Sequence, residues 1–177
     1  MATFQNALDE SILSHRNTLE KEVSQLISKR HLSLGIVETF TMGTLTSAFA
    51  ALPNASDFFR GSLICQHPLS FTQLANIPAH VLNSRDKSVL LNALLQAIAN
   101  KLKTNLNIAI IGSTQETSTP NVQETTFYFG IKMNDISKTK NVSFSASRQE
   151  LYTKIGHVCM NFIKPILAHA NELFKTE

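Results

Sequence analysis

The sequence is short of charge, of cysteine and of long apolar runs, and each shortage closes off a class of function. Asp, Glu, Lys and Arg make up 16% of its 177 residues, and the formal net charge is only +3. The basic residues are scattered, without clusters or interleaved aromatics, so the chain lacks the basic face by which proteins grip nucleic acid. No apolar run approaches the ~20 residues that span a bilayer. The opening MATFQNALDESILS carries acids early and has no basic region followed by an apolar one, so it does not read as a secretory signal. A cytoplasmic location without membrane attachment is the expectation. Cys65 and Cys159 lie far apart and fit no metal-ligand spacing; reduced, buried thiols are the simpler account, and no metal site is expected.

Charge is scarcest between Leu34 and Ser84, where Glu38, Asp57 and Arg60 are the only Asp, Glu, Lys or Arg residues. Such a stretch belongs in a core, so these three charges need solvent, partners or a cleft. What the chain does have is apolar bulk. At 43% hydrophobic it is globular rather than disordered, and its length favours one domain over 1–177 with one sizeable core.

Periodicity supplies the elements. Leu8, Ile12 and Leu13 share a helical face in an N-terminal extension over 1–16, which covers its own domain or contacts a second copy. Asn17 with Glu20 resembles a capping box for a helix carrying Leu19, Val23, Leu26 and Ile27. LSLGIVE (32–38) reads as a buried strand, and Thr39 or Thr41 is placed to cap the helix TMGTLTSAFAAL, which must stop before Pro53. A second strand, GSLICQ (61–66), precedes a short helix PLSFTQLA. Ser84 is expected to cap the long helix RDKSVLLNALLQAIANKLK. Then come a third strand, LNIAIIG (106–112), a polar segment STQETSTPNVQE expected as a loop, and two strands (125–133 and 141–147) joined through NDISKTK. A closing helix from Arg148 to about Phe174 is expected to bend at Pro165. Helices between the early strands demand parallel pairing covered on both faces, and the later hairpin is antiparallel. The expected fold is an α/β, three-layer α/β/α sandwich around a five-stranded mixed sheet.

Three stretches then stand out: VETFTMG (37–43), FFRGSLICQHPLSF (58–71) and IIGSTQETSTP (110–120). In order and spacing they resemble the A-E-S-C-T-G-G turn, the F-R-G-G-V-V-A-Y-S-N-E-A-K segment and the T-G-I-A-G-P-G-G-G-T loop of the CinA C-terminal domain, the competence/damage-inducible or nicotinamide-nucleotide amidohydrolase family. The resemblance covers roughly residues 18 to 170. Its matching identities are Glu38, Thr41, Gly43, Phe59, Arg60, Gly61, Ser84, Gly112, Tyr128 and Arg148. It implies hydrolysis of the carboxamide of nicotinamide mononucleotide, releasing ammonia without metal or cofactor. It also implies a serine nucleophile in the first motif, activated by a tyrosine and a lysine of the second.

The residues depart from the family where that chemistry is carried. Thr39 replaces the serine, and its β-methyl crowds attack; Phe40 replaces the cysteine. Gln66 stands at the tyrosine position and Phe71 at the lysine position, and a phenyl ring takes no proton. Beyond Gly112 the phosphate-loop stretch holds no glycine, and Glu116 adds negative charge there. A chain without intact catalytic residues, acting as a binding or assembly protein, is the leading expectation. Its partner is a nucleotide or a small amide, and a homo-oligomer is compatible with it. The competing reading is an amidohydrolase remodelled around Thr39 as nucleophile and His67 as base, although no acid near in sequence orients that histidine. Glu38, Thr41, Gly43, Arg60 and Gly112 are the candidates to line a ligand cleft at the strands' C-terminal ends. Glu38 and Arg60 would pair there, or else simply neutralise each other near the core. Cys65 is a weaker nucleophile candidate, because nothing cationic lies beside it to lower its pKa. Phe71, Phe127 and Phe129 line a cleft or fill the core, and the latter suits strand aromatics.

Overall fold

A computed structural model describes residues 18–169 apart from Pro53, and for Pro68, Arg148 and Gln149 the backbone alone. The expected helix on Leu8, Ile12 and Leu13 and the cap at Asn17 lie outside the described residues. Helix α1 spans 18–29 and buries Leu19, Val23 and Ile27, one residue per turn. It closes with His31 in the left-handed region at φ 54, while the Leu32 amide donates back to the Ile27 carbonyl at 3.1 Å.

Strand β1 (Leu34–Glu38) is buried along its whole length because it pairs in parallel on both sides, with β2 (Phe59–Ile64) and β3 (Leu106–Glu116). Strands β4 (Val122–Met133) and β5 (Ile136–Ser147) continue the sheet antiparallel, in the order β2-β1-β3-β4-β5. The helices that follow α1 are α2 (Thr44–Ala50), α3 (Ala55–Phe58), α4 (Pro68–Ala75), α5 (Ala79–Leu82), α6 (Lys87–Leu102) and α7 (Arg148–Ala168).

Alternation along the strands divides the core in two. Ile36, Ile108, Ile110, Phe127 and Phe129 face one way, against α1, α2 and α7. Val37, Ala109 and Ile111 face the other way, against Leu91, Leu94, Leu95 and Ile98 of α6 and Phe71 of α4. The three layers expected from the sequence are therefore present.

Several local expectations are corrected. The polar segment 113–124 is not a loop: β3 runs on to Glu116, β4 begins at Val122, and their register is unbroken from Gly112↔Phe127 to Glu116↔Gln123. This ribbon extends past the end of β1, whose pairing with β3 stops at Glu38↔Ile110. Ser113, Thr114, Gln115 and Glu116 are exposed, so the ribbon has no apolar face to announce it. The stretch NDISKTK is likewise mostly strand, with only Asn134 and Asp135 in the turn and Asn134 at φ 51. Asp86, not Ser84, caps α6; its Oδ1 accepts from the Ser88 amide at 2.8 Å, while the Ser84 hydroxyl donates to the Asp86 carbonyl. The one-turn helices α3 and α5 are additional. Pro165 falls in the last turn of α7, which ends at Ala168, and the residues expected to extend that helix from 170 onward are outside the described range.

The α6 layer depends on Leu91, which is fully buried and lies so close over Gly130 that a Cβ there would meet its Cδ2 at 2.8 Å. Leu91→Ala is expected to lower unfolding free energy by about 2–5 kcal/mol, measured by urea denaturation followed by circular dichroism.

Candidate functional site

The parallel strands end at one edge of the sheet, where open α/β folds place ligands. There β1 gives way to the turn Thr39–Gly43 and then to α2. The α2 N-cap is Gly43, at φ 90, which offers no side chain to the helix's free amides. Glu38 supplies the acceptor instead, from the last position of the strand. Its Oε1 accepts from the Thr46 amide and the Thr46 hydroxyl, each at 2.6 Å. Its Oε2 accepts from the Thr41 hydroxyl at 2.7 Å and the Leu45 amide at 3.3 Å. The carboxylate is 0% exposed, and these four partners are neutral N–H and O–H groups. Hydrogen bonds and the helix N-terminus, not a cation, compensate its burial.

The expected cap at Thr39 or Thr41 is thus corrected. Thr41 donates its hydroxyl to Glu38, and its carbonyl accepts from the Thr44 amide at 3.0 Å and the Thr44 hydroxyl at 2.7 Å. Thr46, the residue that doubles the bonding to Glu38, carried no sequence signal, since a threonine eight positions on reads as an ordinary helix residue.

Arg60 does not meet Glu38. In the parallel register Glu38 pairs with Ile64, so Arg60 lies about 13 Å back along the strand. It is exposed, at the bulge where β2 begins, and lines a hollow of about 320 Å³ with Ser28, His31, Ser33 and Asp57 at the opposite edge of the sheet. The expected pair fails because parallel strands put the start of one and the end of its neighbour at opposite edges.

Thr39 donates its amide to the Ile110 carbonyl at 3.1 Å, continuing the ladder by one bond. Its hydroxyl is enclosed and has no hydrogen-bond partner. His67 is exposed and caps α4, its Nδ1 accepting from the Leu69 amide at 3.2 Å. No hydrogen bond joins Thr39 to His67. Gln66 is exposed beside it, whereas Phe71 is 5% exposed and packs with Val37, Cys65 and Ile77 under α6. Phe127 and Phe129 are buried in the opposite layer.

Gly112 is placed by packing. A Cβ there would lie 2.6 Å from the Thr126 carbonyl oxygen and 2.7 Å from the ring of Phe40. Phe40 leans across this glycine onto Phe127, ring centroids 6.2 Å apart. Four hollows lined by described residues lie away from the turn, and none is lined by Glu38, Thr39, Phe40, Gln66, His67 or Phe71. Among the described residues no three His, Cys, Asp or Glu side chains converge as metal ligands would. Nor is any helix there long and apolar enough to cross a membrane.

A family model described as the CinA C-terminal domain matches residues 16–167. The chain belongs to this family. A CinA-like protein of Dictyoglomus thermophilum is 26% identical over 144 residues, covering 78% of this chain and 35% of its own. One from Pseudothermotoga lettingae is 22% identical over 151 residues, covering 83% and 37%. The chain therefore spans about a third of the length of these curated relatives. Among solved structures, a competence or damage-inducible protein from Enterobacter asburiae superposes with a TM-score of 0.75 at 18% identity, over 86% of this chain and 98% of that one. A CinA superfamily protein from Klebsiella pneumoniae gives 0.76 at 18%, over 87% and 98%. At such identities these neighbours establish the CinA fold.

Against the CinA turn motif A-E-S-C-T-G-G, this chain departs once more, at Met42. It occupies the first glycine's position with φ 52, a left-handed conformation that costs a non-glycine residue about 1 kcal/mol. Met42 is 63% exposed, and its sulfur accepts from the Tyr152 hydroxyl at 3.7 Å.

The two cysteines lie behind this edge. Burial, and after it the Glu38 carboxylate, holds the Cys159 thiol well above its ordinary pKa, and burial raises that of Cys65. Because folding favours the protonated thiol, the Cys159 contribution is fully present below the unfolded thiol pKa and is lost as pH rises toward the folded one. For Cys159, unfolding free energy is expected to fall by about 1.4 kcal/mol per pH unit once pH passes about 9. Cys159→Ala removes that slope, as urea titrations across pH would show. Glu38→Ala strands four donors, two of them fully buried, and is expected to cost about 3 kcal/mol or more. Glu38→Gln keeps one oxygen, and the Thr41 hydroxyl can rotate to accept, so its loss in the same titration is smaller.

Proposed function

We propose that this chain is a CinA-family domain that has given up amide hydrolysis for a role in binding or assembly. Hydrolysis of a carboxamide needs an activated nucleophile, a base within hydrogen-bond reach and a site for the oxyanion. The observation that carries the reading is Phe71: at the position where the family motif holds lysine stands a ring packed in the α6 core. Three further observations support it. The Thr39 hydroxyl is enclosed without a hydrogen-bonded base, His67 is exposed with its Nδ1 capping α4 and makes no hydrogen bond to Thr39, and Glu38 is committed to α2. The third family stretch, which the resemblance gives to phosphate, is here an extended β-ribbon with exposed Glu116 rather than a glycine-rich loop.

In this reading any small ligand is a nucleotide or small amide held without turnover, and no bound metal or cofactor is required. Incubation of the purified chain with nicotinamide mononucleotide is expected to release no ammonia above the enzyme-free rate. Turnover of about 1 per second or more, within the ordinary enzyme range, contradicts the reading.

A further inference from the structure

Of the three Asp, Glu, Lys or Arg side chains between Leu34 and Ser84, the turn before α2 accounts for Glu38 alone. The other two, Asp57 and Arg60, come to one place. Both line the hollow of about 320 Å³ at the edge of the sheet opposite Glu38. Ser28, His31 and Ser33, from the end of α1 and the connection to β1, wall its other side. Leu32 and Phe58 complete the lining, and both are buried. The volume falls at the lower end of the range of small-molecule sites, about 300–1,000 Å³.

Asp57 and Arg60 share this hollow without neutralising each other. Among the described residues neither side chain has a hydrogen bond or an ion pair. The backbone is specialised where Arg60 sits. Leu34 pairs with Phe59 and Gly35 with Gly61, so Arg60 is an extra residue bulged out of the ladder. Gly61 takes φ 142, a conformation that side chains disfavour, and the pairing resumes there. A bulge releases its residue from strand alternation and re-aims the side chain. Across the hollow His31 holds φ 54, turning the chain from α1 toward β1.

We propose that this hollow binds a small zwitterion, an α-amino acid with an apolar side chain. Two opposite charges that line one hollow without meeting fit a ligand that carries both. The Arg60 guanidinium takes the carboxylate, whose two oxygens match its planar fork. Asp57 takes the ammonium, and the C-terminal end of α1, which carries partial negative charge, assists it. The buried Leu32 and Phe58 form an apolar floor for the side chain. A simple anion would be repelled by Asp57 across so small a space, and a simple cation by Arg60. The hollow lies at the other edge of the sheet from Glu38 and Thr39, so the proposal is independent of whether the chain hydrolyses an amide.

Isothermal titration calorimetry of the full chain with L-leucine tests it. Saturable binding with Kd below about 1 mM is expected. N-acetyl-L-leucine lacks the ammonium and L-leucinamide lacks the carboxylate; each is expected to bind at least ~10-fold more weakly. Arg60→Gln and, separately, Asp57→Asn are expected to weaken L-leucine at least ~10-fold with an unchanged circular dichroism spectrum. Arg60→Lys, which keeps the charge but not the fork, recovers part of the loss. Absence of saturable binding up to about 10 mM overturns the proposal. So does inorganic phosphate or L-leucinamide binding as tightly as L-leucine, or L-leucine binding that both variants leave at full strength.

Discussion

A carboxylate sealed from water at the end of the central strand is the constraint on which this edge of the molecule depends. Desolvating Glu38 would be prohibitive without donors, and the first turn of α2 would be left with unpaired amides behind Gly43. Each deficit answers the other. Two backbone amides and two hydroxyls of the same short segment converge on the carboxylate, so β1 and α2 are joined at one point. The conformation of the connecting turn follows. Met42 and Gly43 take left-handed angles so that the chain reverses over the carboxylate, and Phe40 is carried outward onto Gly112 and Phe127.

That arrangement limits the chemistry available. The Glu38 carboxylate already accepts four hydrogen bonds, two on each oxygen, and the neighbouring Thr39 oxygen is walled in. Positions that the family motifs devote to proton transfer hold an exposed amide, Gln66, and a core ring, Phe71. The side chains that stand where the family motifs hold lysine and cysteine contribute to packing. Phe71 joins Val37 and Ile77 beneath α6, and Phe40 covers the glycine at the base of the β3–β4 ribbon. On the proposed reading, loss of reactive groups and gain of apolar contacts are one change.

Much of the architecture was legible because it rests on periodicity. The unbroken apolar run of β1, the helical stripe of α1 and the alternation of β4 each stated their burial directly, and the three layers follow from helices lying between parallel strands. The ribbon over 113–124 was not legible, because both of its faces meet solvent and its Ser, Thr, Gln and Glu residues carry no alternating apolar signal; pairing alone makes it a strand. Helix starts are ambiguous in sequence where a hydroxyl and a carboxyl residue stand close together, as with Ser84 and Asp86; here Asp86, extended and directly before Lys87, takes the cap. The charge-poor stretch marked Glu38 and Arg60 as residues needing an explanation but not which explanation. Parallel register sent Arg60 to the far edge, and Thr46, which no pattern distinguishes, became the carboxylate's principal partner.

The decisive measurement is a double-mutant cycle between Glu38 and Thr46, combining Glu38→Ala, which removes both carboxylate oxygens, with Thr46→Val, which removes a hydroxyl at nearly constant shape. Urea unfolding of the four proteins gives the coupling free energy. If the strand carboxylate and the helix hydroxyl act as one joint, the two substitutions are expected to be non-additive by about 1–3 kcal/mol. Additive losses, with coupling near zero, would contradict the account.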